Sequence, residues 1–163
     1  MTLSELNALD HEKFAAALGW IFEGSPWVAA FVWDQRPFAS IDALHGAMVE
    51  VVESVATAEQ IALLRAHPDL GTRAIVSDAS KAEQAGAGLD RVTPRELNRF
   101  SELNAAYRAR FGFPFLYAVK GSDKHDLLHA MEQRLGSSYD DEFNEGLRQV
   151  YRIARFRLEK TIS

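Results

Sequence analysis

Thr93-Pro94-Arg95-Glu96 is a helix start, and the residues that follow it decide the fold class. A threonine cap, a proline in the first turn and a glutamate at the third position satisfy or replace the unpaired amides of a helix N-terminus. The side chains that then recur at helical spacing are Leu97, Phe100, Leu103, Asn104 and Tyr107. This period of 3.6 residues predicts an amphipathic helix that packs one face into a core.

Helix signals of the same kind recur along most of the chain. Further helices are predicted to begin at Asp10, at Ser25-Pro26, at Ser40, at the capping-box sequence Thr57-Ala58-Glu59-Gln60, at Ser122, and at Ser138 or Asp140. The run from residue 115 to 119 is also consistent with a short strand, although it has no evident partner strand. We therefore expect an all-α, bundle-like fold of about eight helices, in a single compact domain over residues 1–163.

The composition excludes several classes of protein. The 163 residues include 47% hydrophobic and 25% charged side chains, which indicates a globular chain rather than a disordered one. A net charge of −5 argues against nucleic acid as the main partner, and the lack of cysteine excludes disulfides and a cysteine nucleophile. No apolar run approaches the roughly 20 residues that span a bilayer, and the N-terminal residues lack an apolar signal core. We expect a cytoplasmic protein without membrane contacts.

His67-Pro68-Asp69-Leu70-Gly71 places a histidine at the end of a predicted helix, because the residue before a proline is biased away from helical angles. With an ordinary pKa near 6.5, a histidine both accepts and donates protons close to neutrality. A helix C-terminus favours the cation, whereas burial favours the neutral ring. The residue alone is better explained as a histidine that merely closes a helix. The segment from Asp69 to Asp78 is the longest candidate loop.

Ser80-Lys81-Ala82-Glu83-Gln84 has two interpretations. Ser-x-x-Glu is itself a capping box, so a plain helix start explains Ser80 and Glu83. Gln84, however, adds a second planar polar group, and the small residues 85–88 that follow suit close approach of a backbone or a ligand.

Arg157 is the charged residue whose position is hardest to reconcile with a solvated helix face. The last predicted helix has one apolar arc, made of Phe143, Leu147, Val150, Ile153, Ala154 and Leu158, and Arg157 falls inside it. A guanidinium in such a place needs a carboxylate, several carbonyls or an anionic ligand. A structural ion pair with a buried Asp or Glu is the competing explanation.

Phe111-Gly112-Phe113-Pro114-Phe115 combines three aromatic residues with two residues that fix the backbone. Core packing at a helix exit explains it. The alternative is a rigid wall whose backbone amides bind a flat polar ligand.

His125 and His129 lie four residues apart on a predicted helix, a spacing similar to that of His-Glu-x-x-His zinc sites. The match is imperfect and no third ligand follows, so we expect no metal. A zinc hydrolase that uses this pair is one class of function that the sequence leaves open. A non-catalytic helical interaction module is another.

The order and spacing of these motifs resemble the 2-oxo-4-hydroxy-4-carboxy-5-ureidoimidazoline (OHCU) decarboxylase family. The resemblance covers nearly the whole chain. It rests on Phe22-Glu23-Gly24-Ser25-Pro26-Trp27, the His67, Ser80 and Phe111 segments, Asn104-x-x-Tyr107, and Ile153-Ala154-Arg155-Phe156-Arg157-Leu158.

The resemblance implies an all-α enzyme of urate breakdown, commonly a homodimer, which converts OHCU to (S)-allantoin and carbon dioxide without a cofactor. It assigns catalytic roles to His67, Glu83 and Arg157. It implies a substrate-binding set of Pro68, Ser80, Gln84, Phe111, Gly112, Phe113, Pro114, Phe115 and Val119. The small-molecule ureidoimidazoline is the expected partner.

Overall fold

Regular structure in the computed structural model, which describes residues 1–71 and 77–163, is entirely helical. Within these ranges the α-helices are α1 Leu3–Asn7, α2 His11–Leu18, α3 Trp27–Val32, α4 Ile41–Ser54, α5 Thr57–Arg65, α6 Asp78–Gly86, α7 Pro94–Phe111, α8 Lys124–Arg134 and α9 Tyr139–Thr161. A short 3-10 helix, Trp33–Gln35, follows α3. The prediction of an all-α fold is confirmed. The helix that was not anticipated is α1, although its capping box of Thr2 and Glu5 is a local sequence signal.

Most of the predicted helix starts coincide with observed caps. The side chains of Asp10, Ser40 and Thr93 accept hydrogen bonds from backbone amides three residues later. The hydroxyl of Ser138 accepts from the amide of Asp141 at the start of α9. Side-chain oxygens at these positions satisfy amides that a helix cannot pair internally, which fixes where each helix begins.

Two predicted starts were wrong by one residue. Thr57 lies inside α5, whose N-cap is Ala56 and has no side-chain cap bond. Asp123 rather than Ser122 caps α8, and it forms a reciprocal capping box with Asp126. In both cases two adjacent residues compete for one backbone position, and the capping motif by itself does not rank them.

The irregular segment after α7 was a candidate strand. The described residues contain no strand, and residues 113–119 run as non-helical chain between α7 and a turn. A strand needs a partner for its ladder of hydrogen bonds, and these residues bond to side chains instead. The predicted long loop falls partly on residues 72–76, which lie outside the described residues.

The chain divides into two compact units. The first consists of residues 1–66 and 150–163, and the second of residues 67–149. The prediction of one domain over the full chain stays a prediction. In the described residues, no helix combines the length and the apolarity needed to cross a bilayer.

The first unit buries apolar side chains from α1 to α5 and from the last part of α9. The side-chain amide of Asn7 bonds to the backbone of Phe38 twice: Nδ2 donates to the Phe38 carbonyl at 2.9 Å, and Oδ1 accepts from the Phe38 amide at 2.8 Å. His45 Nε2 lies 2.8 Å from the Tyr151 carbonyl oxygen. The face that α3 buries is made of Val28, Ala29 and Val32. Phe31, an aromatic residue of the same helix, is instead 64% exposed.

The second unit is built around α7. Its buried side chains are Phe100, Leu103, Asn104, Tyr107 and Phe111. Spacings of three and four residues place these side chains on one face, as the sequence pattern predicts. The arrangement matters for function because the two segments singled out by their sequence, 67–71 and 111–119, both belong to this unit.

Candidate functional site

His67 follows directly on the end of α5. The helix ends at Arg65 with Ala66 as its C-cap, as the proline at position 68 predicts. His67 is only 5% exposed, and Pro68 is half-buried. Close packing leaves a nearly buried imidazole few alternative rotamers, so a shift of the backbone that carries it displaces the ring.

Three successive residues after Pro68 are each held by a different side chain of α6 or α7. Arg108 Nε binds Asp69 Oδ1 at 2.7 Å, and Asn104 Nδ2 donates to the Leu70 carbonyl at 2.9 Å. The Gly71 amide donates to Gln84 Oε1 at 3.1 Å. The segment from His67 to Gly71 is therefore fixed through one side chain, one carbonyl and one amide in turn.

Gly71 meets a requirement that other residues would not. Its φ is +68°, and a Cβ built on it would lie 2.5 to 2.8 Å from ring atoms of Phe100. Phe100 is fully buried and cannot move aside. The glycine permits both the left-handed backbone and the close contact with α7.

Ser80 is not a helix cap. The hydroxyl of Ser77 accepts from the Ser80 amide, which makes Ser77 the N-cap of α6 and places Ser80 within the helix. The interpretation of Ser80 and Glu83 as a capping box is therefore wrong. Ser80 is 6% exposed and Glu83 is half-buried, and both lie within α6 rather than at its start.

The amide of Gln84 has a defined orientation. A backbone N–H can only donate, so the Gln84 atom that faces Gly71 must be the oxygen. The other end of the side chain is then the NH₂ group, which is a donor. Gln84 thus ties α6 to residue 71 and offers N–H groups to any acceptor placed beside it.

The aromatic side chains of residues 111–115 pack into the core of the second unit. The rings of Phe111, Phe113 and Phe115 lie with their centroids 4.6, 6.0 and 5.5 Å from that of Tyr107, and all four are buried. Gly112 has a φ of +79° and caps α7 in the left-handed conformation. Core packing therefore accounts for the side chains, and ligand binding by the backbone of the segment stays a prediction.

A buried polar network supports that backbone. Tyr107 donates its hydroxyl hydrogen to Glu142 Oε1 at 2.7 Å, and Arg134 Nε binds the same oxygen at 2.8 Å. Arg134 also donates to the Leu116 carbonyl at 2.7 Å and stacks 4.4 Å above the Phe115 ring. Burial, together with the Glu142 carboxylate, raises the pKa of the Tyr107 hydroxyl far above its usual value, so the phenol stays a donor.

The end of the segment is held in a similar way. The Ala118 amide donates to Gln149 Oε1 at 2.9 Å, and the Val119 carbonyl accepts from the Ser122 amide at 3.0 Å. Val119 is 7% exposed. Side chains of α7, α8 and α9 together hold residues 115–119 where a strand ladder would otherwise be needed.

Arg157 lies in the first unit, whereas the other predicted site residues lie in the second. It is 3% exposed, which confirms the burial predicted from the apolar arc of α9. Its Nη2 binds Glu23 Oε2 at 2.9 Å, and its Nη1 donates to the Trp20 carbonyl at 3.0 Å. The structural ion pair that was the competing explanation is thus present, and the catalytic role of Arg157 stays a prediction.

The two histidines with zinc-like spacing, His125 and His129, are both exposed on α8. Across residues 1–71 and 77–163, no three His, Asp or Glu side chains are grouped so that they could hold a metal ion. The expectation that no metal takes part stays a prediction.

Comparison with known proteins decides the family. The profile of the OHCU decarboxylase family matches residues 7–159. The chain belongs to the OHCU decarboxylase family. Two archaeal proteins named 2-oxo-4-hydroxy-4-carboxy-5-ureidoimidazoline decarboxylase are similar along nearly their whole length. The Halalkalicoccus jeotgali protein is 46% identical over 98% of this chain and 91% of its own length. The Haloferax volcanii protein is 45% identical over 100% of this chain and 97% of its own length.

A solved structure is also similar. The crystal structure of an (S)-allantoin synthase is 32% identical and superposes with a TM-score of 0.82. The match covers 99% of this chain and 54% of that chain. This member of the OHCU decarboxylase family therefore corresponds to about half of the longer protein.

Asn104 and Arg108 hold the His67 segment of this OHCU decarboxylase family member. Neither was predicted as a site residue. Asn104 was placed on α7, but it was counted with the apolar positions of that helix. A buried amide in an apolar stripe is the same kind of signal that singled out Arg157, and it was available in the sequence. Arg108 carries no such signal, because an exposed arginine on a helix is ordinary.

Proposed function

We propose that the chain catalyses the cofactor-independent decarboxylation of OHCU to (S)-allantoin and carbon dioxide. The family and the names of two full-length relatives support this carboxy-lyase reaction. The structural observation that carries the proposal is the fixation of the His67 segment at three successive residues. A general acid/base works best when its position is set before the substrate arrives, and this backbone meets that requirement.

The chemistry of the substrate explains why no cofactor is needed. One ring carbon carries both the carboxylate and a hydroxyl, and its neighbour is the C=N carbon that bears the ureido group. When the bond to the carboxylate breaks, its electron pair forms a C=C bond to the neighbour, and the C=N pair moves to the ring nitrogen, which takes a proton. The ring itself therefore accepts the electrons that pyridoxal or thiamine accepts in other decarboxylases.

Two proton transfers complete the reaction. The hydroxyl proton is lost, which makes the product carbonyl, and a proton adds to the ureido-bearing carbon. His67 hydrogen-bonds the hydroxyl and acts as the general acid/base for these transfers. Proton delivery to one face of the flat intermediate gives the S configuration.

The α6 side chains bind the rest of the substrate. Ser80 and the outward NH₂ group of Gln84 donate to ureido and ring carbonyl oxygens. The Glu83 carboxylate accepts from the ureido N–H groups or orients His67. Pro68, Val119 and the backbone of residues 111–115 line the pocket.

Arg157 has a proposed role of a different kind. A guanidinium stabilises the negative charge that develops on the ring as carbon dioxide leaves, and the family resemblance assigns that role to Arg157. The same guanidinium also binds the Glu23 carboxylate and the Trp20 carbonyl, so it holds a set position.

A stereochemical assay tests the proposed reaction. Freshly generated OHCU is mixed with the protein, and the optical activity of the allantoin formed is followed by circular dichroism. We expect rapid formation of a single enantiomer, also after treatment with a chelator, whereas uncatalysed decay gives a racemate. Racemic product at the uncatalysed rate would overturn the proposal.

We also propose that the enzyme acts as a homodimer in the cytoplasm, as the family resemblance implies. Size-exclusion chromatography with light scattering tests the first part, with a dimer mass expected at micromolar concentration. Fractionation of the source cells tests the second.

A further inference from the structure

One stripe of α7 contacts the segment after His67 residue by residue. Phe100, Asn104 and Arg108 are four positions apart, so they lie along one face of the helix. In that order they meet Gly71, Leu70 and Asp69: a ring contact, a 2.9 Å hydrogen bond and a 2.7 Å ion pair. The helix and the segment thus run in opposite directions in matched register.

This register fixes His67 through a short and stiff connection. Only Pro68 separates His67 from Asp69, and its ring locks one of the two backbone torsions of that residue. A shift of the segment along α7 would break the Asn104 bond and the Arg108 bond together. The ring of His67 therefore inherits its position from α7.

Asn104 is a costly residue for a purely structural position. It is 3% exposed in the middle of α7, where an apolar side chain would pack without hydrogen-bonding needs. Its Nδ2 has the Leu70 carbonyl as partner, but its Oδ1 has none among the described residues. The bond of Asn104 to the Leu70 carbonyl gives this buried amide a role, which is to fix the His67 segment.

We propose that Asn104 and Arg108 are positioning residues that set the His67 ring for proton transfer, an inference that rests on the proposed function. Neither side chain acts on the substrate itself. Their loss misplaces the general acid/base and the adjacent Pro68, whereas the proposed hydrogen-bonding groups for the substrate, Ser80, Glu83 and Gln84, stay on their own helix α6. The rate of the chemical step then falls, and the affinity for the substrate does not.

Kinetics of four variants test the proposal. Asn104→Leu keeps a side chain of similar size but no donor, and Arg108→Ala removes the ion pair, whereas Arg108→Lys keeps the charge. Arg99→Ala is the matched control, since Arg99 is also on α7, is 46% exposed against 42% for Arg108, and binds carboxylates that lie away from residues 67–71.

Because small displacements of a catalytic group lower the rate by up to about 100-fold, we expect kcat to fall about 10- to 100-fold in Asn104→Leu and about 10-fold in Arg108→Ala. KM should stay within about twofold, Arg108→Lys should recover most of kcat, and Arg99→Ala should match the wild type.

A measurement without turnover separates this inference from the proposed function. The imidazole resonances of His67, assigned by their loss in His67→Asn, should shift or broaden in Asn104→Leu and Arg108→Ala and stay unmoved in Arg99→Ala. If the wild type does not act on OHCU, the proposed function fails and the resonances still decide the positioning. Unmoved resonances and unchanged kcat in the folded variants would overturn the inference. If Asn104→Leu does not fold, the three arginine variants decide it in the same way.

Discussion

The side-chain oxygen of Gln84 accepts the backbone N–H of Gly71 at 3.1 Å. This bond joins α6 to the segment that begins at His67, and it fixes which end of the Gln84 amide points elsewhere. Since the oxygen is engaged, the NH₂ group is the part that would bind the substrate in the proposed function. Gln84 is therefore expected to recognise an acceptor oxygen rather than an N–H group.

Replacing Gln84 with glutamate tests that polarity. The carboxylate still accepts from Gly71, but it presents an oxygen where the amide presents a donor. We expect KM for OHCU to rise about 10-fold or more, because the variant lacks the hydrogen bond from the Gln84 NH₂ group to the substrate, which contributes about 1.5 kcal/mol. Initial-rate kinetics measure it, with Gln133→Glu on the exposed face of α8 as the control for added charge. An unchanged KM in folded Gln84→Glu would remove Gln84 from substrate recognition.

His67→Asn is expected to lose most of the activity while the fold persists. General acid/base catalysis contributes about 10²- to 10⁴-fold, and kcat should fall by an amount in that range. His129→Asn is the control, because that exposed histidine of α8 belongs to the zinc-like pair and not to the proposed site. The reverse pattern, with His129 essential, His67 dispensable and activity lost to a chelator, would favour the zinc hydrolase.

The pair of Arg157 and Glu23 is expected to contribute strongly to stability. Both side chains are at least nine-tenths buried, at 3% and 9% exposure, so removing the Glu23 carboxylate takes a buried charge partner away from Arg157. Glu23→Ala should lower the free energy of unfolding by about 3–5 kcal/mol. Glu159→Ala, which removes the exposed partner of Arg155 on the same helix, should cost less than about 1 kcal/mol. Denaturant unfolding compares the two, and equal losses would show that burial of the pair is irrelevant.

Arg157→Gln separates the structural role of this arginine from the catalytic one. We expect Arg157→Gln to lower kcat by more than the loss of folded protein explains. Activity is therefore measured well below the temperature at which half of the variant is unfolded. A stable variant without activity would support the catalytic role, whereas an unstable variant that keeps full activity while folded would leave only the ion pair.

Gly71→Ala is expected to damage both stability and activity. Gly121 has a comparable φ, +84° against +68°, but a Cβ on Gly121 would meet nothing within 4 Å. Gly121→Ala should therefore report the backbone strain alone, about 1–2 kcal/mol. Gly71→Ala should lose about 1–3 kcal/mol more, because its Cβ would press on the Phe100 ring in a packed core. Thermal unfolding of the pair gives the difference, and equal effects would mean that the contact with Phe100 is not tight.

Local patterns sufficed for many of the predictions. The capping box at Thr93, the caps at Asp10 and Ser40, and the end of α5 before Pro68 each depend on residues within one helical turn. The burial of Arg157 followed from the period of one helix. Short-range signals of this kind are readable because the backbone geometry of a helix is the same in every fold.

The choice between nearby alternatives was less predictable. Ser77 and Ser80 are both followed by helical sequence, and Ser80 has the glutamate that a capping box calls for. The cap is nevertheless Ser77, and Ser80 is buried within α6. A capping box contributes only about 1 kcal/mol, so the packing of the helix against its surroundings decides which serine begins it.

The sequence by itself determined the helical class, the family motifs and the place of Arg157 among apolar residues. Only the tertiary structure decided what the polar side chains bind: Gln84 the amide of Gly71, Asn104 the carbonyl of Leu70, and Arg157 the carboxylate of Glu23. These partners are 13, 34 and 134 residues apart in the chain. Helix periodicity is set by neighbours in sequence, whereas a hydrogen bond near 3 Å depends on how whole helices pack, and no local pattern contains that information.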